Sequence, residues 1–231
     1  MPFLEAKYGK WKQLFEPFIV ANQRIEATLA RLSSDALICD IGAGGRRITP
    51  DIVTVDAFWA KDTDILSDAA RLGIADDTFD CVFCTGTLEH LPDPWKSTRE
   101  IARITKPGGL VHIDTPFMQG YHSDPHDYWR FTQDGLRKLF EDFEKVESGV
   151  HIGPASGLSW LFVCFCQAFA RGPFMRKIMF RLGRLLVFPW KYLDTLLVKS
   201  PYSYLAAGGV YFVGRKPIVT FNGEECHDTV C

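Results

Sequence analysis

Short continuous runs of apolar residues alternate along this chain with segments whose apolar residues return every three to four positions. The continuous runs are Ala36–Ile41, Ile52–Asp56, Cys81–Cys84, Leu110–Asp114 and Val210–Val213. An unbroken apolar run, in contrast to an alternating one, predicts a strand buried on both faces of a parallel sheet. Helical spacing occurs over residues 4–32, where Pro17 predicts a kink or a break, over Trp95–Ile104 and over Gly135–Phe143. Strands alternating with helices predict an α/β fold around a mainly parallel central sheet, with helices on both faces.

Residues 158–200 depart from that pattern. Leu158–Ala170 is almost wholly apolar but spans only 13 residues, short of the roughly 20 that a membrane-crossing helix needs. Seven basic residues follow (Arg171, Arg176, Lys177, Arg181, Arg184, Lys191 and Lys199) against one acid, Asp194. The segment thus carries +6 in a chain of −2, and the remainder carries −8. Such asymmetry predicts an acidic partner for this one segment. Three readings stand: an amphipathic layer on an anionic membrane surface, a helical cap on the core, or a subunit interface.

Composition narrows the class. At 231 residues, 47% hydrophobic and 23% charged, the chain is neither a disordered tail nor a coiled-coil rod. Its slight net negative charge argues against nucleic acid as a partner. Met1–Trp11 has no basic start followed by an apolar run, and the seven cysteines are an odd number. Both predict a cytoplasmic protein with reduced, buried thiols. Cys81 and Cys84 sit three apart in a strand and therefore on opposite faces, which argues against a redox pair or zinc half-site.

Ligands of an open parallel sheet bind at the carboxyl ends of its strands. The first predicted strand ends in Asp40, Ile41, Gly42, Ala43, Gly44 and Gly45, a turn that lets the backbone approach a ligand closely. Asp56 ends the second, where an ionised carboxylate can accept both hydroxyls of a ribose. A nicotinamide fingerprint needs G-x-G-x-x-G, and Arg47 stands at the third glycine position. The phosphate-binding G-x-x-x-x-G-K-[ST] is absent.

Taken in order, Leu37–Gly44, Val53–Asp56, Asp68–Asp80, Thr87–Leu91 with Asp93-Pro94, and Arg103–Gly109 resemble the motifs of the class I S-adenosylmethionine-dependent methyltransferases, in particular the type 11 group. Two departures mark this chain. Only 16 positions separate Asp40 from Asp56, so the helix between the first two strands is very short or missing, and Gly73 replaces the family's proline. The resemblance implies a Rossmann-like fold with an antiparallel last strand and S-adenosylmethionine as cofactor. It implies cofactor contacts at Asp40, Gly42, Ala43, Gly44, Asp56, Ala57, Asp68, Ala69, Thr85 and Leu88. It also implies a core of residues 36–157 and 201–217, an N-terminal helical cap over 1–35, a helical insertion over 158–200 and a tail over 218–231.

Residues 115–132 follow the fourth predicted strand and are dense in histidine, acid and aromatic side chains. The segment from His122 to Thr132 is similar to H-x-x-P-x-D-Y-x-R-F-T in a subgroup of that family, often in polysaccharide or cell-envelope settings, which implies a lid over the acceptor. His122, His126 or Asp127 could remove a proton from an oxygen acceptor, with Tyr121, Tyr128 and Arg130 binding the substrate. Equally, Asp127, Tyr128 and Arg130 could form a structural ion-pair cluster. His122 and His126 with Asp124 have the spacing of metal ligands on a helix, but Pro125 argues against a helix, and no metal is expected. The resulting expectation is methyl transfer to a small-molecule, saccharide or lipid-linked acceptor, on oxygen, in the cytoplasm at the inner face of the membrane. The alternative is a non-catalytic membrane or protein adaptor acting through residues 158–200.

Overall fold

The computed structural model describes residues 23–123 and 125–218. Most of the helix expected over residues 4–32 falls outside these residues. Its described part is α1, Gln23–Leu29.

Seven strands form one sheet in the order β3-β2-β1-β4-β5-β7-β6. They are β1 (Ile38–Ile41), β2 (Val53–Asp56), β3 (Ile65–Leu66), β4 (Phe79–Thr85), β5 (Thr105–Pro116), β6 (Glu144–Ile152) and β7 (Gly209–Arg215). β1 to β5 pair in parallel, and β7 runs antiparallel to both β5 and β6. This is the mainly parallel sheet with an antiparallel last strand that was expected. β3 and β6 lie where no strand was predicted. No helix forms over residues 42–52, so the first crossover is made of turns.

Alternate residues of β4 divide the core into two layers. Val82 and Cys84 join the larger cluster with Ile41, Val55, Ile101, Leu136, Phe140 and Phe212. Cys81 and Phe83 join the smaller one with Ile52 and Leu110, against which Ile25, Leu29 and Leu32 pack. Cys81 and Cys84 therefore face opposite sides of the sheet, as their spacing requires. Helix α2 (Pro94–Ile104) starts where Asp93 accepts the Lys96 amide at 3.0 Å, and it buries Thr98, Ile101 and Ile104. Helix α3 (Gln133–Leu139) is capped by Thr132, whose hydroxyl accepts the Gly135 amide.

Between β6 and β7 stands a helical block of α4 (Pro154–Ala168), α5 (Pro173–Val187) and α6 (Asp194–Leu197). It is anchored at its base. Asp194 is buried and accepts the Ala155 and Ser156 amides at the first turn of α4, each at 2.9 Å, which satisfies two donors that the helix cannot. Backbone meets backbone where α4 passes β7, because a Cβ on Gly157 would lie 2.8 Å from the Gly208 Cα. Among the described residues, no helix is long and apolar enough to cross a membrane.

Candidate active site

The strand order reverses between β1 and β4, and at such a switch point the carboxyl ends of the strands open a crevice. The glycine turn after β1 is held against β2. The Gly42 amide donates to the Val55 carbonyl at 2.8 Å, and the Gly44 amide donates to Asp56 Oδ2 at 2.8 Å. Gly42 has φ +72°, and a Cβ there would overlap Thr87, so two separate constraints demand glycine. Ala43 is buried beneath the turn. Asp56 also accepts the Phe58 amide at 2.9 Å. Each of its oxygens keeps a lone pair for a ligand.

Asp40 is fully buried, and neither of its oxygens finds a hydrogen-bond partner among the described residues. Burial pushes its carboxyl up to about 7, against the opposing pull of Arg46. The Arg46 Nε stands 3.7 Å from Asp40 Oδ2, and the guanidinium donates to the Thr85 carbonyl at 2.9 Å and to the Thr85 hydroxyl. Arg46 thus lies across the carboxyl ends of β1 and β4. The sequence had marked only its neighbour Arg47, as a failed glycine.

The remaining cofactor candidates divide. Ser67, next to Asp68, donates its amide to the Asp56 carbonyl, so Asp68 sits beside the end of β2. Asp68 itself accepts the Ala70 amide at 2.8 Å, and Ala69 is buried in the larger core. Ala57 is exposed, followed by the exposed rings of Phe58 and Trp59. Leu88 is wholly buried in the larger core, so its side chain serves packing and only its backbone is left for a ligand.

The segment after β5 folds back onto the turn that follows β4. The Tyr128 and Trp129 amides donate to the Glu89 carbonyl at 2.7 and 3.2 Å, and the Trp129 indole donates to the Leu91 carbonyl at 2.9 Å. Arg130 donates to both oxygens of Asp127, at 2.5 and 2.6 Å, and reaches the carbonyls of Gln119, Gly120 and Trp129. Asp127 also accepts the His122 amide at 2.8 Å, and Arg130 holds its carboxyl below the usual range despite burial. Asp127 and Arg130 are therefore engaged with each other and with the backbone, which is the structural cluster foreseen as their second reading. A carboxylate so occupied is a poor proton acceptor.

The histidines part company. The His126 ring is exposed and lies against Tyr128, itself half exposed like the more open Tyr121. His122 turns inward to Glu89, a buried residue that sequence reasoning did not assign, and to His90. Glu89 raises the His122 pKa above its ordinary value. The run Leu88-Glu89-His90 was visible in the sequence as a motif. Its meeting with His122 was not, since that depends on how residues 117–132 fold back.

Residues 40–113 match the family described as the methyltransferase domain. An uncharacterized methyltransferase of Mycobacterium bovis is 48% identical over 77 residues, covering 31% of this chain and 30% of that protein. A ubiquinone biosynthesis O-methyltransferase of Xanthomonas oryzae pv. oryzae is 28% identical over 115 residues, covering 40% and 48%. The matches thus span less than half the length of either relative. The fold is shared with the 1,6-didemethyltoxoflavin-N1-methyltransferase of Burkholderia thailandensis, solved with S-adenosylhomocysteine bound. That likeness has a TM-score of 0.52 at 16% identity and covers 88% of this chain and 78% of that one. The matched stretch begins at the buried Asp40 and carries the glycine turn, Asp56 and β4, so residues 40–113 of this chain are similar to the methyltransferase domain.

Proposed function

We propose that this chain binds S-adenosylmethionine at the β1/β4 crevice and transfers its methyl group to an oxygen of a small-molecule or saccharide acceptor. The observation that carries the cofactor half is the Asp40 carboxylate, buried behind a glycine turn with no hydrogen-bond donor among the described residues. An unpaired buried acceptor is costly, and a ligand ammonium is the donor that would relieve it. Asp56 would accept the ribose hydroxyls, and Asp68 with the backbone near Ala69 and Leu88 would meet the adenine. Bound there, the cofactor supplies a sulfonium methyl open to in-line attack. The chain's own contribution is orientation, by the Arg130-pinned segment that brings His122 to Glu89.

A thermal shift series tests this reading. S-adenosylmethionine and S-adenosylhomocysteine at 100 times their dissociation constants should each stabilise the protein by about 2.7 kcal/mol. NAD should not, and Asp56→Ala should remove the effect. No shift with either ligand would leave the adaptor reading as the one to pursue.

The helical block favours a lipid-linked acceptor. Phe165, Phe169, Phe174, Leu182, Leu185 and Leu186 are exposed, and Arg171, Arg176, Lys177 and Arg181 stand exposed among them. An apolar surface interleaved with basic groups suits the interface of an anionic bilayer. The protein should sediment with anionic vesicles and much less with zwitterionic ones, and Arg176→Glu with Lys177→Glu should weaken the association. Equal recovery in the supernatant with both vesicle types would discard this reading.

A further inference from the structure

We infer that Glu89, His90 and His122 form a binding site for a divalent transition metal ion, zinc above all, at the acceptor side of the crevice. The ligand atoms offered by these three residues all lie within 4.8 Å of one another. Glu89 Oε1 faces His90 Nε2 at 3.7 Å and His122 Nε2 at 3.8 Å. In a tetrahedral zinc set, with bonds of about 2.0–2.1 Å, neighbouring ligand atoms are roughly 3.3 Å apart. On the two edges to Glu89 the gap is about half an ångström, within reach of small rotations of two rings.

The orientation of the rings is the second observation. His90 Nδ1 lies against the His126 carbonyl oxygen, and His122 Nδ1 is 3.1 Å from the Gly120 carbonyl. An Nδ1–H that donates to a carbonyl leaves the Nε2 lone pair as the free position, which is how metal-ligating histidines are usually fixed. In that tautomer both Nε2 lone pairs face the same carboxylate oxygen. A cation resolves that arrangement.

Charge balance is the third. Glu89 is 2% exposed. Its other oxygen accepts only a long bond from the Thr115 hydroxyl, at 3.5 Å, and the basic groups beside it among the described residues are the two histidines. A buried carboxylate needs a counter-charge, which a metal ion supplies. Two imidazoles and one carboxylate leave at least one coordination position open, the mark of a site that takes a further ligand. On the methyl-transfer reading, on which this last step rests, that ligand is a hydroxyl oxygen of the acceptor. The ion site itself is independent of that reading. It also differs from the His122, His126 and Asp124 set weighed in the sequence, because the exposed His126 ring does not join it.

Zinc and cobalt, titrated separately into chelator-treated full-length protein, test the inference by calorimetry and by visible cobalt absorption. About one equivalent should bind. His122→Ala and His90→Ala should each weaken binding by roughly 100-fold or more and lose the cobalt bands while keeping the wild-type circular dichroism. Magnesium, a hard cation preferring oxygen ligands, should not displace zinc. Asp56→Ala, which should remove the cofactor response, should bind metal as wild type does, so the two readings fail separately. Absence of binding, or binding that survives both histidine replacements, would overturn the inference.

Discussion

Gly42→Val should cost roughly 2–5 kcal/mol of folding stability. The backbone at Gly42 has φ +72°, a region that a β-branched residue enters only under strain. The new Cβ would also lie 2.8 Å from the Thr87 Cβ, with the rest of that side chain closer still. Thr87 has little room to yield, since its hydroxyl is within reach of the carbonyls of Ile41, Gly42 and Thr85 at 3.2–3.4 Å. Gly44→Ala separates the two effects. Gly44 has φ +60° but open space around its Cβ position, so that variant should show the backbone penalty alone, about 1–2 kcal/mol. Urea unfolding measures both. If Gly42→Val is no worse than Gly44→Ala, the packing of Thr87 over the turn is not the constraint described.

Arg46→Met should be mild in acid and severe in base. Asp40 has a folded pKa of about 7, far above the roughly 3.9 of an unfolded aspartate. Between those values the folded state holds the extra proton, so this group's contribution to stability falls as pH rises through the window. Arg46 opposes that shift. Without it the folded pKa climbs further and the loss extends to higher pH. Near pH 5.5 Asp40 is largely protonated with or without Arg46, and the variant loses mainly the hydrogen bonds to Thr85, about 1 kcal/mol. Near pH 8.5 the cost should be larger, by about 1.4 kcal/mol for each pKa unit that Arg46 holds back. Introducing Asp40→Asn alongside should flatten the difference. A cost independent of pH would mean that Arg46 does not stabilise the Asp40 carboxylate.

The parts of the fold that the sequence revealed are those whose signal is local. β1, β2, β4 and β5 are read from continuous apolar runs because both faces are covered. β6 escaped because its first three residues, Glu144, Lys145 and Val146, are exposed, and burial appears only at Val150. β3 has two residues, too few to carry any period. The glycine turn after β1 was legible because glycine and aspartate have narrow conformational roles there. The segment after β5 was half legible. His122, Asp127 and Arg130 stood out by type, yet which were tied to each other and which turned inward depended on carbonyls of the folded loop. Glu89 and His90 lie more than 30 positions from His122, and no local pattern joins them. Arg46 gave no signal, since an arginine beside a glycine turn is ordinary until a buried carboxylate is found beneath it.

The strands differ in length across the switch point, and this divides the molecule mechanically. β1, β2 and β3 have four, four and two residues, whereas β4 to β7 have seven to twelve. Short edge ladders open at lower free energy than long central ones. Turns replace a crossover helix on the short side. Local unfolding should therefore start in the half that carries the Gly42 turn and Asp56, which hydrogen exchange would show as faster amide exchange in β1 to β3 than in β5 and β7. A ligand held by Asp56 on one side and the Thr85 end of β4 on the other would stitch a soft unit to a firm one, and its binding energy would be spent partly on cooperativity.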